Sequence, residues 1–309
     1  MGRYTLQRFV YMVITLFLIT TLTFFLMKLL PGSPLKNQEK LSPAQKEIIL
    51  DKYGLNDPLP VQYARYMGNL AKGDLGVSFQ YDNRPVTEMI VDRIGPSAQL
   101  GFQAIVLGTF IGLLLGIVAA LRTNTWADYG ATFISVLGMS VPGFVFAALL
   151  QYYVAVKLGW LPVAFWKGFE YTILPTIALS VGVTATIARF ARTELIEVMQ
   201  ADYILTAKAK GISQSVIIVK HALRNALIPI ITVLGPMVAG IMTGTLVIEQ
   251  VFAVPGLGEQ FVKSIPLNDY TIIMGTTMFY SAIFILVIFI VDVLYGVVDP
   301  RIRLAGGKK

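Results

Sequence analysis

The sequence predicts an all-α polytopic membrane protein, with six transmembrane helices and a small water-exposed insert between the first two. Three observations carry this prediction. The 309 residues are 55% hydrophobic and only 14% charged, with a mean hydropathy of +0.68, whereas soluble domains carry about a quarter charged residues. The apolar residues gather into six runs free of Asp, Glu, Lys and Arg: 9–27, 94–121, 129–156, 171–188, 225–248 and 270–291. Each is long enough to cross a hydrocarbon core as a helix. Basic residues, finally, concentrate on alternate connections between the runs.

The first run is longer than the apolar core of a secretory signal. Leu30-Pro31-Gly32-Ser33-Pro34 follows it with no small-x-small cleavage site, so residues 1–30 read as a tail and a retained helix. Residues 31–93 carry 8 basic and 8 acidic side chains and the turn signals Tyr53-Gly54, Asn56-Asp57-Pro58 and Lys72-Gly73-Asp74. This is an extracytoplasmic insert. Its apolar residues, Ile48, Ile49, Leu50, Tyr53, Tyr63, Tyr66, Met67 and Leu70, recur at helical spacing and predict a mini-core or a face packed on the membrane domain.

Residues 94–309 hold the remaining five spans. In the second, Gly108, Gly112 and Gly116 repeat every fourth residue, with Gly101 on the same stripe. The fifth adds Gly240 and Gly244, besides Pro229, Gly235 and Pro236. Small residues at this spacing let helix backbones approach in lipid, and Pro frees backbone carbonyls that another helix or water must satisfy. Two readings stay open: packing within one chain, or a fifth span that lines a hydrated path or meets a second subunit.

Six spans put both termini on one side. Segments 1–8, 122–128, 189–224 and 299–309 share that side and hold 13 basic residues, against 3 in the connections 157–170 and 249–269. The positive-inside rule places the termini in the cytoplasm. The net charge of +7 is thus accounted for by orientation in a membrane, and nucleic acid is not needed to explain it.

Several function classes fall away. There is no Cys and a single His, so disulfides are excluded and an intrinsic zinc, copper or haem site is disfavoured. No ionisable residue sits mid-span, where proton- and ion-coupled carriers place their relays. Asp292, near the end of the last span, reads as a structural partner for a neighbouring helix, and His221 as an interfacial residue. No catalytic constellation lies in the spans, so no catalytic residue is predicted. The chain also lacks a G-x-x-x-x-G-K-[ST] loop. Energy for active transport must therefore enter from another polypeptide.

The segment 189–224 is the most informative loop. Glu194 to Met199 continue the fourth span. Asp202 then caps a short helix, Tyr203 to Lys210, that stops at Gly211. Tyr203, Thr206 and Lys210 share a face, with Ala207 beside them. A short amphipathic helix beneath the membrane lies on lipid or seats in a partner's groove. Ala and Thr stand where a lipid-binding helix has Leu or Trp, which favours the groove.

The run Asp202-Tyr203-Ile204-Leu205-Thr206-Ala207-Lys208-Ala209-Lys210-Gly211, followed by His221-Ala222-Leu223-Arg224-Asn225-Ala226-Leu227-Ile228-Pro229, resembles the coupling segment of ABC importer permeases. More narrowly it resembles the peptide/nickel subfamily. That likeness extends to Leu30–Pro34, to Ile248-Glu249-Gln250-Val251-Phe252-Ala253-Val254-Pro255-Gly256-Leu257-Gly258, and to the C-terminal run from Asp292 to Arg303. The broader importer motif has Glu-Ala-Ala where this chain has Leu205-Thr206-Ala207, and Pro229 lies further from Gly211 than in that motif.

The resemblance implies the ABC importer permease fold and a non-enzymatic subunit that holds no cofactor. It further implies two cytoplasmic ABC ATPases that bind ATP and Mg, a second homologous permease and an extracytoplasmic peptide-binding lipoprotein. Oligopeptides or dipeptides are the implied substrate, and a bacterial or archaeal cytoplasmic membrane the implied location. Asp202, Tyr203, Thr206, Ala207, Lys208, Lys210 and Gly211 are then expected at the ATPase contact. Met242, Thr243, Gly244 and Thr245 are expected along the path, and Phe252, Pro255, Gly256 and Gly258 in a loop facing the binding protein. The rival readings are a nickel or small-solute permease of the same subfamily, and an ATP-independent channel. A channel leaves the helix before Gly211 without a purpose.

Overall fold

The computed structural model describes residues 2–31, 35, 42–244 and 246–298. Helices dominate the described residues, with one isolated antiparallel bridge between Val77 and Pro85. Four helices are long and apolar enough to cross a membrane, or five if one bent pair counts as a single span.

The first of these is α1 (Gly2–Leu29), which packs along the last helix, α13 (Tyr270–Val298). Arg8 pairs with Asp292 at 3.2 Å across that seam, so Asp292 does serve a neighbouring helix. The insert carries α2 (Pro43–Lys52), opened by a capping box of Ser42 and Gln45, and α3 (Leu59–Leu70). Its apolar residues meet the membrane domain: Tyr66 stacks on Phe24 at 5.6 Å, and the Tyr63 and Thr21 hydroxyls lie 2.7 Å apart. Burial among these rings pushes the Tyr66 phenol up to about 12.

The centre of the fold is the pair α4 (Val86–Leu121) and α7 (Glu170–Met199), the most extensive packing in the molecule. The glycine stripe explains it. A Cβ at Gly108 would lie 2.6 Å from Val183 Cβ, one at Gly112 2.8 Å from the Thr184 carbonyl oxygen, and one at Gly116 2.6 Å from the Ala188 carbonyl oxygen. The stripe therefore serves packing within the chain. Gly101 belongs to a different contact, facing Ile241 with ordinary clearance. At 36 residues, α4 is about 54 Å long, well beyond a hydrocarbon core of about 30 Å.

The third apolar run is not a single straight span. It splits into α5 (Trp126–Ser140) and α6 (Gly143–Leu150), the latter continuing as a π-helical turn (Gln151–Lys157), with a bend of 104° between them. Pro142 has no N–H to donate, and its ring drives the preceding residue out of the helical region. Val141 accordingly adopts φ −84° and ψ 121°.

After α7 come α8 (Asp202–Ala209), α9 (Gln214–Val216), a second π-helical turn (Ile217–Ala222) and α10 (Leu223–Gly244). The chain returns through α11 (Leu246–Phe252) and α12 (Leu257–Ser264) to α13. α10 bridges α7 and α13, and Gly235 is its tightest point, since a Cβ there would meet Val291 Cγ2 at 2.3 Å. α2, α3 and α12 lie at one end of the bundle, and α8 at the other.

Candidate coupling surface

α8 is built by its termini. Ala201 is the N-cap, with extended backbone (φ −68°, ψ 147°), so Asp202 is the first helical residue and not the cap the sequence suggested. A carboxylate in the first turn still favours the positive end of the helix dipole. At the other end Gly211 takes φ +73°, a conformation natural to Gly. Its N–H donates to the Lys208 carbonyl at 3.0 Å, and the Ile212 N–H to that of Ala207 at 3.2 Å, which together form a Schellman stop.

One face of α8 is sealed against the chain itself. Ile204 and Ala207 are buried with Leu195 of α7, Ile217 and Ala222 of the π-helical turn, and Ala226 of α10. Ile117 and Ala120 of α4 complete the socket. Ala207, expected at the outer contact, thus points inward. Asp202, Tyr203, Thr206, Lys208, Lys210 and Gly211 remain exposed, as does Leu205. The Asn225 amide of α10 donates to the Tyr203 hydroxyl at 3.1 Å and to the His221 carbonyl at 2.9 Å. Nearby, Arg192 of α7 makes a two-pronged ion pair with the buried Asp128 of α5, at 2.5 and 2.8 Å. The Asn124 N–H donates to the same carboxylate at 2.9 Å. α8 is thus tied to α4, α7 and α10 by packing, and α5 is tied to α7 by packing and by this ion pair.

The expected loop from Phe252 to Gly258 sits at the opposite end. Only Pro255 of its four named residues is exposed. Phe252, Gly256 and Gly258 are buried, a correction with two causes: Phe252 packs in an apolar cluster with Leu100, Leu174 and Ile248, and the glycines close over Glu249. That side chain has no exposed surface. Its Oε1 accepts from the Ser97 hydroxyl of α4 at 2.6 Å, and its Oε2 from the Gly258 and Glu259 N–H groups at 2.7 and 3.1 Å. Ser97 Oγ accepts in turn from the Leu257 N–H at 2.9 Å. A Cβ at Gly256 would fall 2.3 Å from Glu249 Oε2, so the glycines give the carboxyl group room. Sequence reasoning quoted Glu249 without giving it a role. The available signal was an acidic residue closing an apolar run just before two glycines.

Among the path residues, Met242, Thr243 and Gly244 end α10. Their side chains, and the whole of Thr245, lie outside the described residues. So do Gly32, Ser33 and Pro34 and the C-terminal run from Asp299 to Arg303.

Comparison with known proteins identifies the family. Residues 112–304 match the family described as the binding-protein-dependent transport system inner membrane component, and residues 1–101 match its N-terminal family. The dipeptide transport system permease protein DppB of Lactococcus lactis is 48% identical over 98% of this chain and 100% of its own length. The oligopeptide transport system permease protein OppB of Escherichia coli K12 is 41% identical over 98% and 100%. The inward-facing MetNI methionine ABC transporter shares the fold, with a TM-score of 0.57 at 19% identity, over 68% of this chain and 96% of that one. The chain belongs to the family of binding-protein-dependent transport system inner membrane components, as a multi-pass membrane subunit.

Proposed function

We propose that this chain is the permease subunit of an ATP-driven importer of short peptides, and that it forms half of the translocation pathway with a second, homologous permease. Two cytoplasmic ATPases bind ATP and Mg and seat the exposed face of α8, while an extracytoplasmic binding protein delivers the peptide. Six spans, with the bent α5–α6 pair and α10 each counted as one, put both termini and α8 in the cytoplasm and the insert outside. The distribution of basic residues supports that orientation. The substrate class rests on the peptide permeases named above, which match along nearly the whole chain.

The observation that carries the coupling role is the two-faced construction of α8. Its inner face is locked to the ends of three long helices, and its outer face, with Tyr203, Thr206, Lys208 and Lys210, is left open. A rigid plug of this kind converts a push on one side into displacement of the spans on the other.

Gly211 provides the test. No atom lies within 4 Å of a Cβ built there, so the cost of a substitution is purely its positive φ. In proteoliposomes holding the whole transporter, Gly211→Val is expected to cut ATP-driven peptide uptake about tenfold while ATP hydrolysis and insertion persist. Gly211→Asn is expected to restore most of the uptake, since Asn visits this region. Undiminished uptake in Gly211→Val, or uptake by the wild type without ATP, defeats the assignment.

A further inference from the structure

At the insert end, a cavity of about 320 Å³ opens between α1, α3, the stretch 74–79 and the start of α13. Its volume falls in the range of small-molecule sites. Aromatic rings make up much of the wall. Phe24 and Tyr66 stack at 5.6 Å, and Tyr53 meets Phe79 edge to face at 4.7 Å.

The charges on this wall are the informative part. Arg65 is already neutralised by Asp57 at 2.6 Å. Lys28 and Asp74 are not: among the described residues neither has an ion-pair partner, and they do not pair with each other. The half-buried Lys28 ammonium donates to Gln62 Oε1 at 2.5 Å and sits over the Phe24 ring, so, among the described residues, one oxygen takes one of its three protons. Asp74 accepts from the Gly76 N–H at 2.8 Å and has oxygen lone pairs to spare. One cation and one anion, set apart on an aromatic wall, complement a zwitterion with an apolar body. The Asn69 amide on the same wall suits a peptide group.

We propose that this cavity binds a short peptide on the outer side of the permease, with Lys28 holding its C-terminal carboxylate, Asp74 its α-amino group, and the rings its side chains. The proposal rests on the importer reading and the orientation given above. A phospholipid is the less fitting occupant. The wall is drawn largely from the charged insert.

The experiment uses the whole transporter in nanodiscs, without its binding protein, and measures binding of the dipeptide Ala-Phe, its N-acetyl form and its C-terminal amide. Ala-Phe is expected to bind, and Lys28→Met to weaken it about tenfold, the worth of one charge-assisted hydrogen bond. For the amide, Lys28→Met is expected to make no further difference. Asp74→Asn is expected to behave the same way toward Ala-Phe and the N-acetyl form. Lys72→Met, which removes an exposed charge of the insert that does not line the cavity, serves as a control and is expected to bind Ala-Phe within about twofold of wild type. Absent binding, or losses that ignore which end of the peptide is blocked, overturns the proposal. So does a Lys28 dependence that appears only when phosphatidylethanolamine is present, which identifies a lipid.

The importer reading is judged separately, by ATP-driven uptake of Ala-Phe by the wild type with its binding protein. Uptake without end-specific binding removes the site alone. End-specific binding without ATP-driven uptake leaves the site standing and removes the importer.

Discussion

The two ends of the helix bundle are held together by different forces. The insert end is knotted by buried polar groups: Glu249 against Ser97 and the start of α12, Asp269 against the Ser78 hydroxyl, and Arg93 against Glu259 at 2.7 Å. Glu249, Asp269 and Ser78 have no exposed surface at all. The α8 end has one such group, Asp128 against Arg192, but α8 itself sits in a socket of Leu, Ile and Ala, with Ala207, Ala222 and Ala226 as its smallest members. Hydrogen bonds to buried carboxyl groups are directional and costly to leave unmade, so the insert end has one geometry. Apolar contact is non-directional. A plug seated in such a socket stays attached while the helix ends beneath it tilt. The lesson is that this subunit is rigid where a peptide would arrive and compliant where force would enter.

Substitutions sharpen that contrast. The largest effect is expected from Glu249→Ala, which orphans the Ser97 hydroxyl and two backbone N–H groups in a sealed site. A loss of about 3–5 kcal/mol is expected, read as a fall in the thermal midpoint and yield of the purified transporter. Glu249→Gln keeps part of the network and is expected to recover part of the loss. If Glu249→Ala is as stable as wild type, the knot does not hold this end.

Ile204→Ala, at the centre of the socket, follows with about 2–4 kcal/mol. Here the expected signature is functional. Because α8 loosens in its seat, ATP hydrolysis is expected to continue while uptake falls further than the folded fraction does. Proportional losses of both would mean that the socket only stabilises.

The smallest effect is expected from Tyr203→Phe, which deletes the hydrogen bond from Asn225 and costs about 0.5–1 kcal/mol. A double-mutant cycle with Asn225→Ala measures that bond. Independent effects of the two changes would show that it contributes nothing.

Much of this was legible in the sequence because lipid imposes simple demands. Apolar length located four of the expected spans as long apolar helices, and helix-end chemistry located α8, its stop at Gly211 and the run of α7 through Met199. The 104° bend was missed because hydropathy is blind to direction, although Val141-Pro142-Gly143 carried the signal. The cap of α8 moved by one residue because Ala201, with no polar side chain, holds the extended backbone that Asp202 was expected to hold. Ala207 was placed on the wrong side because a helical wheel does not say which face the rest of the chain covers. The burial of Gly256 and Gly258 depended on Glu249 folding back nine residues onto Gly258, a contact no periodicity encodes. The glycine stripe was ambiguous for the same reason: spacing shows that two backbones approach, and only the fold shows that the second belongs to α7.

α4 touches both ends without a break. It supplies Ser97 and Arg93 to the polar knot and Ile117 and Ala120 to the socket, and Gly108, Gly112 and Gly116 clamp it to α7 along the way. Such a continuous strut gives the two surfaces a physical connection, and any coupling it carries is reciprocal. If seating of a nucleotide-loaded ATPase on α8 alters affinity for a binding protein at the far end, then arrival of that binding protein must alter affinity for the ATPase by the same factor. A ligand-loaded binding protein outside would thereby announce itself to the motor inside, with no side chain travelling between them.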